Sequence, residues 1–185
     1  MQHVMLDIET LGTNSYAPIL SIGAVKFDPN DGLPNNGSRS RDRWECFHVG
    51  IELDSCLRRG LKPDAKTIEW WFDPARADAR EAMIKLEKVD ILAALDGFES
   101  WIIPGTCIWG NGSDFDNVIL ANAYKVCDRD TPWDFRHNRC FRTFKSLALD
   151  IMLSRHPGVY HSALDDAKFQ VEWFWAIREK LGITF

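Results

Sequence analysis

Val4-Met5-Leu6-Asp7-Ile8-Glu9 is the stretch that decides the fold: an apolar run predicts a buried strand, yet two acids interrupt it. Successive strand side chains point to opposite faces, so Asp7 and Glu9 should share one face, about 7 Å apart, with Leu6 and Ile8 on the other. Two carboxylates on a central strand are costly unless a cation or protons neutralise them. The open alternative is a solvated strand end that carries two surface acids.

Composition bounds the class of protein. The 185 residues, 45% of them apolar, predict one domain, residues 1–185, with a sizeable core. The absence of a basic leader and of a long apolar run argues against a secreted or membrane-bound protein. Five scattered cysteines without a Cys-x-x-Cys pair predict reduced thiols in a cytoplasmic protein, without a disulfide framework or a zinc site. The net charge of −5 is not typical of a nucleic-acid coat protein, which is usually basic, but it does not exclude an enzyme that binds one end of a nucleic-acid strand.

The remaining pattern predicts an α/β fold with a mixed sheet flanked by helices. Strands are expected at residues 4–9, 19–27, 44–51, 107–109 and 141–143, the first three forming an antiparallel meander. Helices are expected at about residues 64–73, 75–86, 89–102, 113–126, 144–153 and 162–181. Polar residues 33–42 predict a mobile loop.

Two later stretches carry further acids at expected helix starts, 111–117 (Asn-Gly-Ser-Asp-Phe-Asp-Asn) and 161–167 (His-Ser-Ala-Leu-Asp-Asp-Ala). Taken separately, each fits a capping residue followed by first-turn acids that complement the helix dipole. Ala163 and Ala167 lie four residues apart, so one stripe of the last helix is small. That stripe would let the helix lie close to the sheet and bring a first-turn acid near the first strand.

Taken together, the three motifs resemble those of the DEDDh 3′-to-5′ exonucleases: Asp-x-Glu-Thr, then Asn-x-x-x-Phe-Asp, then His-x-Ala-x-x-Asp-Ala. Other stretches are similar to a narrower branch, the small stand-alone phage and prophage exonucleases and a related mycobacterial exoribonuclease: Ile19–Asp28, Thr67–Phe72, Trp109–Gly112, Pro132-Trp133 and Arg142-Thr143. The resemblance implies a ribonuclease H-like fold with a five-stranded mixed sheet.

The resemblance also implies the residues of the site. Four acids would bind the metal ions, and a histidine would act as general base: Asp7, Glu9, Asp116 and Asp166, with His161. The neighbouring acids Asp114 and Asp165 are excluded only by the spacing of the motifs. A lone histidine is more often structural, and its place in the third motif is what favours the catalytic interpretation.

Contacts to the substrate are expected from residues that flank these acids: Thr10, Leu11, Asn111, Phe115 and His161. Phe115 could stack on a base or belong to the core, and the same alternatives hold for Trp70 and Trp71. A basic segment containing Arg136, Arg139, Arg142 and Lys145 could line the path of a strand or be a solvated loop.

The resulting hypothesis is a two-metal 3′-to-5′ exonuclease that uses Mg²⁺ or Mn²⁺ and releases nucleoside 5′-monophosphates from single-stranded nucleic acid. The branch resemblance favours RNA slightly over DNA, and 3′ ends would be the partners. The alternatives are an oligoribonuclease-type or proofreading-type nuclease, or a catalytically silent binding module of the same fold. The family also suggests a homodimer, and no membrane partner is expected.

Overall fold

The structure, a computed structural model, describes residues 1–33, 44–153, 156 and 158–185. Six strands form one sheet in the order β4-β3-β2-β1-β5-β6: β1 His3–Thr10, β2 Ile19–Phe27, β3 Cys46–Ile51, β4 Lys88–Val89, β5 Cys107–Gly110 and β6 Asn138–Cys140. The α-helices are α1 Leu53–Arg58, α2 Ala65–Phe72, α3 Ala77–Lys85, α4 Ile91–Trp101, α5 Asp116–Val126, α6 Phe141–Lys145 and α7 Ala163–Leu181. The loop predicted at residues 33–42 lies, beyond Leu33, outside the described residues.

Strand β1 lies in the middle of the sheet, pairing antiparallel with β2 on one side and parallel with β5 on the other. Strand β3 pairs antiparallel with β2, so the predicted three-strand meander is confirmed. The predicted count of five strands is wrong, because β4 adds a sixth by pairing in parallel with β3. With two residues, β4 is too short to produce an alternating pattern in the sequence.

The region around β6 corrects a second expectation. Residues 141–143 are not a strand, and 144–153 are not one helix. Strand β6 ends at Cys140, helix α6 spans Phe141–Lys145, and a single 3₁₀ turn follows at Ser146–Ala148. Phe141 and Phe144 are three residues apart, a helical spacing, and both are buried. The Cys140 Sγ accepts a hydrogen bond from the N–H of Thr143, which fixes the start of the helix one residue after the strand.

The two faces of the sheet carry separate cores, as the alternation of β1 predicts. Val4, Leu6 and Ile8 pack with apolar residues of α4 and α5. Met5 packs on the opposite face with residues of α6 and α7. Asp7 is on the Met5 face, which places its carboxylate under α7.

Helix α7 approaches the sheet closely because the side chains on both contacting faces are small. Gly23 of β2 is paired with Asp7 of β1, and it lies beneath the first turn of α7. A Cβ atom at Gly23 would be 2.2 Å from the carbonyl carbon of Ala163, which is far inside van der Waals contact. Ala163 and Ala167 are both fully buried at this contact. The predicted small stripe therefore brings the start of α7 against β1.

Two exclusions drawn from composition can be compared with the structure. The structure has all five cysteines as free thiols. Across the described parts of the chain, every helix is too short or too polar to cross a membrane.

We expect Gly23→Ala to lower the free energy of unfolding by about 1–3 kcal/mol, because the added methyl group must push the first turn of α7 away from the sheet. Urea unfolding followed by circular dichroism measures the change. The matched control is Gly32→Ala, since a Cβ at Gly32 meets nothing within 4 Å. Equal stability of both variants would contradict the close approach of α7.

Candidate active site

The first three acids of the candidate site meet where β1 ends. Asp7 and Glu9 lie on consecutive same-face positions, and the β1–β2 register shifts just after Glu9. Strand β5 ends at Gly110, beside Leu6, and beyond it the N–H of Ile8 donates to Oδ1 of Asp116 at 3.3 Å. Asp116 is the first residue of α5 and is 3% exposed. A sheet edge and a helix start therefore place Asp116 beside the β1 acids.

The fourth acid, Asp166, comes from the first turn of α7. Its Oδ2 accepts a hydrogen bond from the N–H of His161 at 2.9 Å, and its Oδ1 is 2.7 Å from Nε2 of His156. Ligand atoms of Glu9, His161 and Asp166 all lie within 4.8 Å of one another. The structure thus brings all five sequence-predicted metal and base residues to one end of β1.

The two neighbouring acids point elsewhere. Oδ2 of Asp165 accepts a hydrogen bond from the N–H of Val159 at 3.0 Å, so this carboxylate holds the loop that precedes α7. Asp114 is exposed to solvent. The geometry therefore agrees with the motif spacing, which selects Asp166 and Asp116.

Burial and mutual repulsion raise the proton affinity of the acids. The pKa of Asp7 is raised well above its usual range, first by burial and then by the charges of Asp116, Glu9 and Asp166. A hydrogen bond from Nε2 of Gln170, 2.8 Å from Oδ1 of Asp7, acts in the opposite direction. Burial, then Asp166 and Asp116, raise the pKa of Glu9 to about 8.

Hydrogen bonds moderate the same effect at the two helix-borne acids. Burial raises the pKa of Asp116 to about 7, although the hydrogen bond from Ile8 favours the ionised form. Burial also raises the pKa of Asp166, and the contact with His156 opposes that rise. Without a cation, the site therefore has more negative charge than its low-dielectric surroundings favour.

This donor set fits a divalent cation. The four carboxylates offer only oxygen ligands, which Mg²⁺ and Mn²⁺ prefer, and the structure places no cysteine among them. The raised pKa values report the cost of burying these charges and, at Asp7 and Glu9, the repulsion from neighbouring carboxylates, and a bound cation would offset both. Asp7, Glu9, Asp116 and Asp166 are the residues that would hold it.

His161 is held in an unusual backbone conformation beside these acids. Its φ of 63° lies in the left-handed region, which only a few non-glycine residues adopt. The ring of Trp70 stands perpendicular to the imidazole, with centroids 4.8 Å apart, and the Arg76 guanidinium lies 4.5 Å from the Trp70 ring centroid. Burial lowers the pKa of His161. The charge of Asp166 raises this pKa, and the charge of Arg76 lowers it further. The imidazole is therefore fixed next to Glu9 and Asp166.

A groove of about 790 Å³ opens on one side of Glu9. Of the predicted substrate residues, Thr10 and Phe115 line it, and so does Trp70. Trp71 is 5% exposed and its indole N–H donates to the carbonyl oxygen of Thr10 at 2.9 Å, so its main role is packing. Sequence reasoning missed the polar wall of the groove, which comes from the loop after β1 and the start of α2: Thr13, Asn14, Asp64, Lys66 and Thr67.

Leu11 is half-buried with the side chains of Leu20 and Trp71. Its predicted contact with a terminal base stays a prediction. Phe115 both lines the groove and packs against the core beneath α5, so the two interpretations of that residue are compatible.

A second cavity, of about 320 Å³, lies on the other side of the acids. Its lining includes the predicted residue Asn111 together with Lys145, His156 and Gln170. Sequence reasoning missed His156 and Gln170. Gln170 is four residues after Asp166 on one helix, so helical spacing could have found it, whereas His156 lies outside any periodic pattern.

The basic segment divides into residues near the site and residues away from it. Nζ of Lys145 lies 3.4 Å from the Trp173 ring centroid and borders the second cavity. Arg142 donates from Nη2 to the carbonyl oxygen of Asn111 at 2.7 Å. Arg136 is exposed and pairs with Asp134, while Arg139 donates to backbone carbonyls of its own segment. Two residues of this segment therefore lie near the acids: Lys145 lines their cavity, and the charge of Arg142 lowers the pKa of Asp116.

Comparison with known proteins identifies relatives of this chain. The sequence model of the 3′-5′ exoribonuclease Rv2179c-like domain matches residues 2–178. An exodeoxyribonuclease of Enterobacteria phage T4 is 24% identical over 135 residues, which cover 68% of this chain and 56% of the phage protein.

Solved structures show the same fold. Exonuclease I of E. coli, in complex with a dT13 oligonucleotide, matches with a TM-score of 0.61 at 17% identity, over 98% of this chain and 42% of that one. Exonuclease I from Methylocaldum szegediense matches with a TM-score of 0.63 at 12% identity, over 98% and 41%. The chain thus spans about half the length of these relatives. The expected ribonuclease H-like α/β fold is confirmed, with six strands in place of five.

We expect the metal-free protein to lose stability as the pH rises from about 4 to about 8. Glu9 and Asp116 bind protons more tightly in the folded state, with pKa values of about 8 and about 7, than in the unfolded chain, where these acids titrate near pH 4. The stabilisation is therefore fully present below about pH 4 and is lost as the pH rises to the folded pKa values, above which the stability levels off. Thermal unfolding in EDTA measures the slope.

Glu9→Gln should flatten that slope, while Asp114→Asn, at an exposed acid, should leave it unchanged. Saturating Mg²⁺ should reverse it, since the ionised acids then have a partner. A metal-free protein whose melting temperature rises over this pH interval would contradict the repulsion among the acids.

Proposed function

Since this chain belongs to the 3′-5′ exoribonuclease Rv2179c-like family, we propose that it is a divalent-cation-dependent 3′-to-5′ exonuclease acting on single-stranded nucleic acid. The observation that carries the proposal is the meeting of Asp7, Glu9, Asp116 and Asp166 with His161 at the end of β1. The family match over residues 2–178 also supports the proposal of one domain, residues 1–185. Reduced cysteines agree with a cytoplasmic location.

The roles of the side chains follow from their chemistry. The four carboxylates would hold two Mg²⁺ or Mn²⁺ ions, and these would supply positive charge to the scissile phosphate and its leaving oxygen. Asp7 contributes from the strand, between the acids of α5 and α7. The hydrogen bonds from Ile8 to Asp116 and from His161 to Asp166 orient those two carboxylates before any ligand arrives.

His161 acts as the general base. Its lowered pKa keeps an imidazole nitrogen free to accept a proton from the attacking water at neutral pH. Trp70 holds the ring in place, and the nearby carboxylate of Asp166 stabilises the imidazolium that forms. As water attacks the phosphorus, its proton passes to the imidazole nitrogen and the bond from phosphorus to the 3′ oxygen of the preceding nucleotide breaks. The 3′ oxygen leaves with the electron pair and takes a proton from solvent, so the products are a nucleoside 5′-monophosphate and a strand one nucleotide shorter with a 3′ hydroxyl.

The groove beside Glu9 takes the 3′-terminal nucleotide. Trp70 and Phe115 offer ring surfaces for a base, and Thr10 offers polar atoms beside Glu9. Leu11 contacts the terminal base of the nucleic-acid strand, and Asn111 contacts the substrate from the second cavity. A groove of about 790 Å³ has room for a nucleotide.

Single-stranded RNA is the preferred substrate in this proposal. The support is the family's description as exoribonucleases, set against the exodeoxyribonuclease of phage T4 and the dT13 complex of E. coli Exonuclease I. A homodimer is the proposed oligomeric state, on the family resemblance alone.

The experiment is a time course with 3′-labelled and 5′-labelled RNA and DNA oligomers, single- and double-stranded, in Mg²⁺, Mn²⁺ or EDTA. We expect a 3′ label to leave first as a mononucleotide, a 5′ label to give a descending ladder, and EDTA to stop both. Asp166→Asn should reduce the rate roughly 10³-fold or more, as loss of a central catalytic group does in other hydrolases.

Asp165→Asn is the matched control, because it keeps an oxygen that can accept from Val159 and should remain active. Activity in Asp166→Asn with none in Asp165→Asn would shift the site by one residue. Binding of oligomers without cleavage in any cation would contradict the proposed nuclease activity and favour a catalytically silent binding module.

We expect His161→Asn to slow turnover by about 10²–10⁴-fold while leaving Mn²⁺ affinity within about twofold. Asparagine tolerates the left-handed backbone at this position, so the fold should survive the change. Single-turnover kinetics and calorimetric Mn²⁺ titration measure the two quantities. The control is His137→Asn, whose side chain lines neither cavity. A large loss of Mn²⁺ affinity would make His161 a ligand and remove it from the base role.

A further inference from the structure

We propose, resting on the nuclease function above, that Gln170 is a positioning residue that holds the Asp7 carboxylate in its cation-binding orientation. Its Nε2 donates to Oδ1 of Asp7 at 2.8 Å, across the contact between α7 and β1. The side chain is 6% exposed and borders the cavity that the acids line. Because Gln170 follows Asp166 by four residues, one face of α7 delivers both side chains to the site.

The amide oxygen of Gln170 indicates that the side chain is positioned by its hydrogen bond to Asp7. Among the described residues, Oε1 of Gln170 is buried without a hydrogen-bond partner. A glutamine kept for the fold would satisfy both amide atoms, or an apolar side chain of the same shape would pack there better. The other glutamine, Gln2, differs at this atom, because its Oε1 accepts hydrogen bonds from Thr106 Oγ1 at 2.8 Å and from the N–H of Ile103. The amide nitrogen of Gln170 thus donates to Asp7, while the amide oxygen is left without a hydrogen-bond partner among the described residues.

A neutral donor suits this position better than a charged one. Asp7 faces the charges of Glu9, Asp116 and Asp166, and a divalent cation needs that negative charge. A lysine or arginine in place of Gln170 would fix the carboxylate but would also neutralise the site. The amide orients Asp7 and leaves the charge intact, as outer hydrogen-bond partners of metal ligands do elsewhere.

The test compares Gln170→Met with Gln2→Met, the same substitution at the other end of β1. We expect Gln170→Met to lower Mn²⁺ affinity about 10- to 100-fold in calorimetric titration and to lower kcat over a similar range. The KM for the oligonucleotide should stay within about twofold. The melting temperature in EDTA should stay close to that of the wild-type protein, because the loss of the donor to Asp7 and the removal of a buried acceptor without a partner oppose each other.

Gln2→Met should give the opposite result, a lower melting temperature in EDTA with unchanged Mn²⁺ affinity. A folded Gln170→Met protein with unchanged Mn²⁺ affinity and kcat would overturn the proposal. Should Gln170→Met not fold, the wild-type protein decides the question by nuclear magnetic resonance. Mg²⁺ should then shift the side-chain amide signals of Gln170 and leave those of Gln2 in place, and an absence of any shift at Gln170 would also overturn it.

The two proposals fail in different ways. If the wild-type protein cleaves no oligonucleotide in any cation, the nuclease function fails. If the wild-type protein cleaves and Gln170→Met equals it in Mn²⁺ affinity and kcat, only the role of Gln170 fails.

Discussion

Repulsion among buried carboxylates is the constraint on which the rest of the structure depends. Asp7, Glu9 and Asp116 are held where water cannot fully solvate their charge, and the pKa of each is raised in consequence. Folding alone does not favour such a cluster, so packing elsewhere must stabilise it. Two apolar cores, one on each face of the sheet, supply that packing. The acids then stay poised for a partner that removes their repulsion.

The acids are held by elements that are far apart in the chain. Strand β1 supplies Asp7 and Glu9, and the end of β5 lets α5 bring Asp116 to the N–H of Ile8. Helix α7 brings Asp166, and it can do so because Gly23 leaves no side chain beneath its first turn. Small residues at one packing contact thus determine the geometry of a charged site.

Glu9 joins the two cavities, because it lines both the groove and the smaller cavity. The groove has aromatic rings and polar side chains, as a nucleotide end requires. The cavity has Lys145, His156 and Gln170 around the acids. Under the proposed function, recognition of the strand end and hydrolysis are therefore adjacent, and a strand end that fills the groove presents its last phosphate to the acids. Trp70 belongs to both parts, since it lines the groove and also contacts His161.

The sequence by itself determined the strands of the meander and the extent of α7, because alternation and helical spacing are local properties. The family resemblance of its motifs selected the four acids that the structure brings together. The sequence predicted a strand at residues 141–143 where α6 lies, since a short apolar run does not distinguish strand from helix until Phe141 and Phe144 find a buried surface. Only the tertiary structure decided that His156 contacts Asp166, that the start of α2 lines the groove, and that Gln170 donates a hydrogen bond to Asp7. The physical reason is that local sequence sets the face on which a side chain lies, whereas the distance between two faces is set by how distant elements pack.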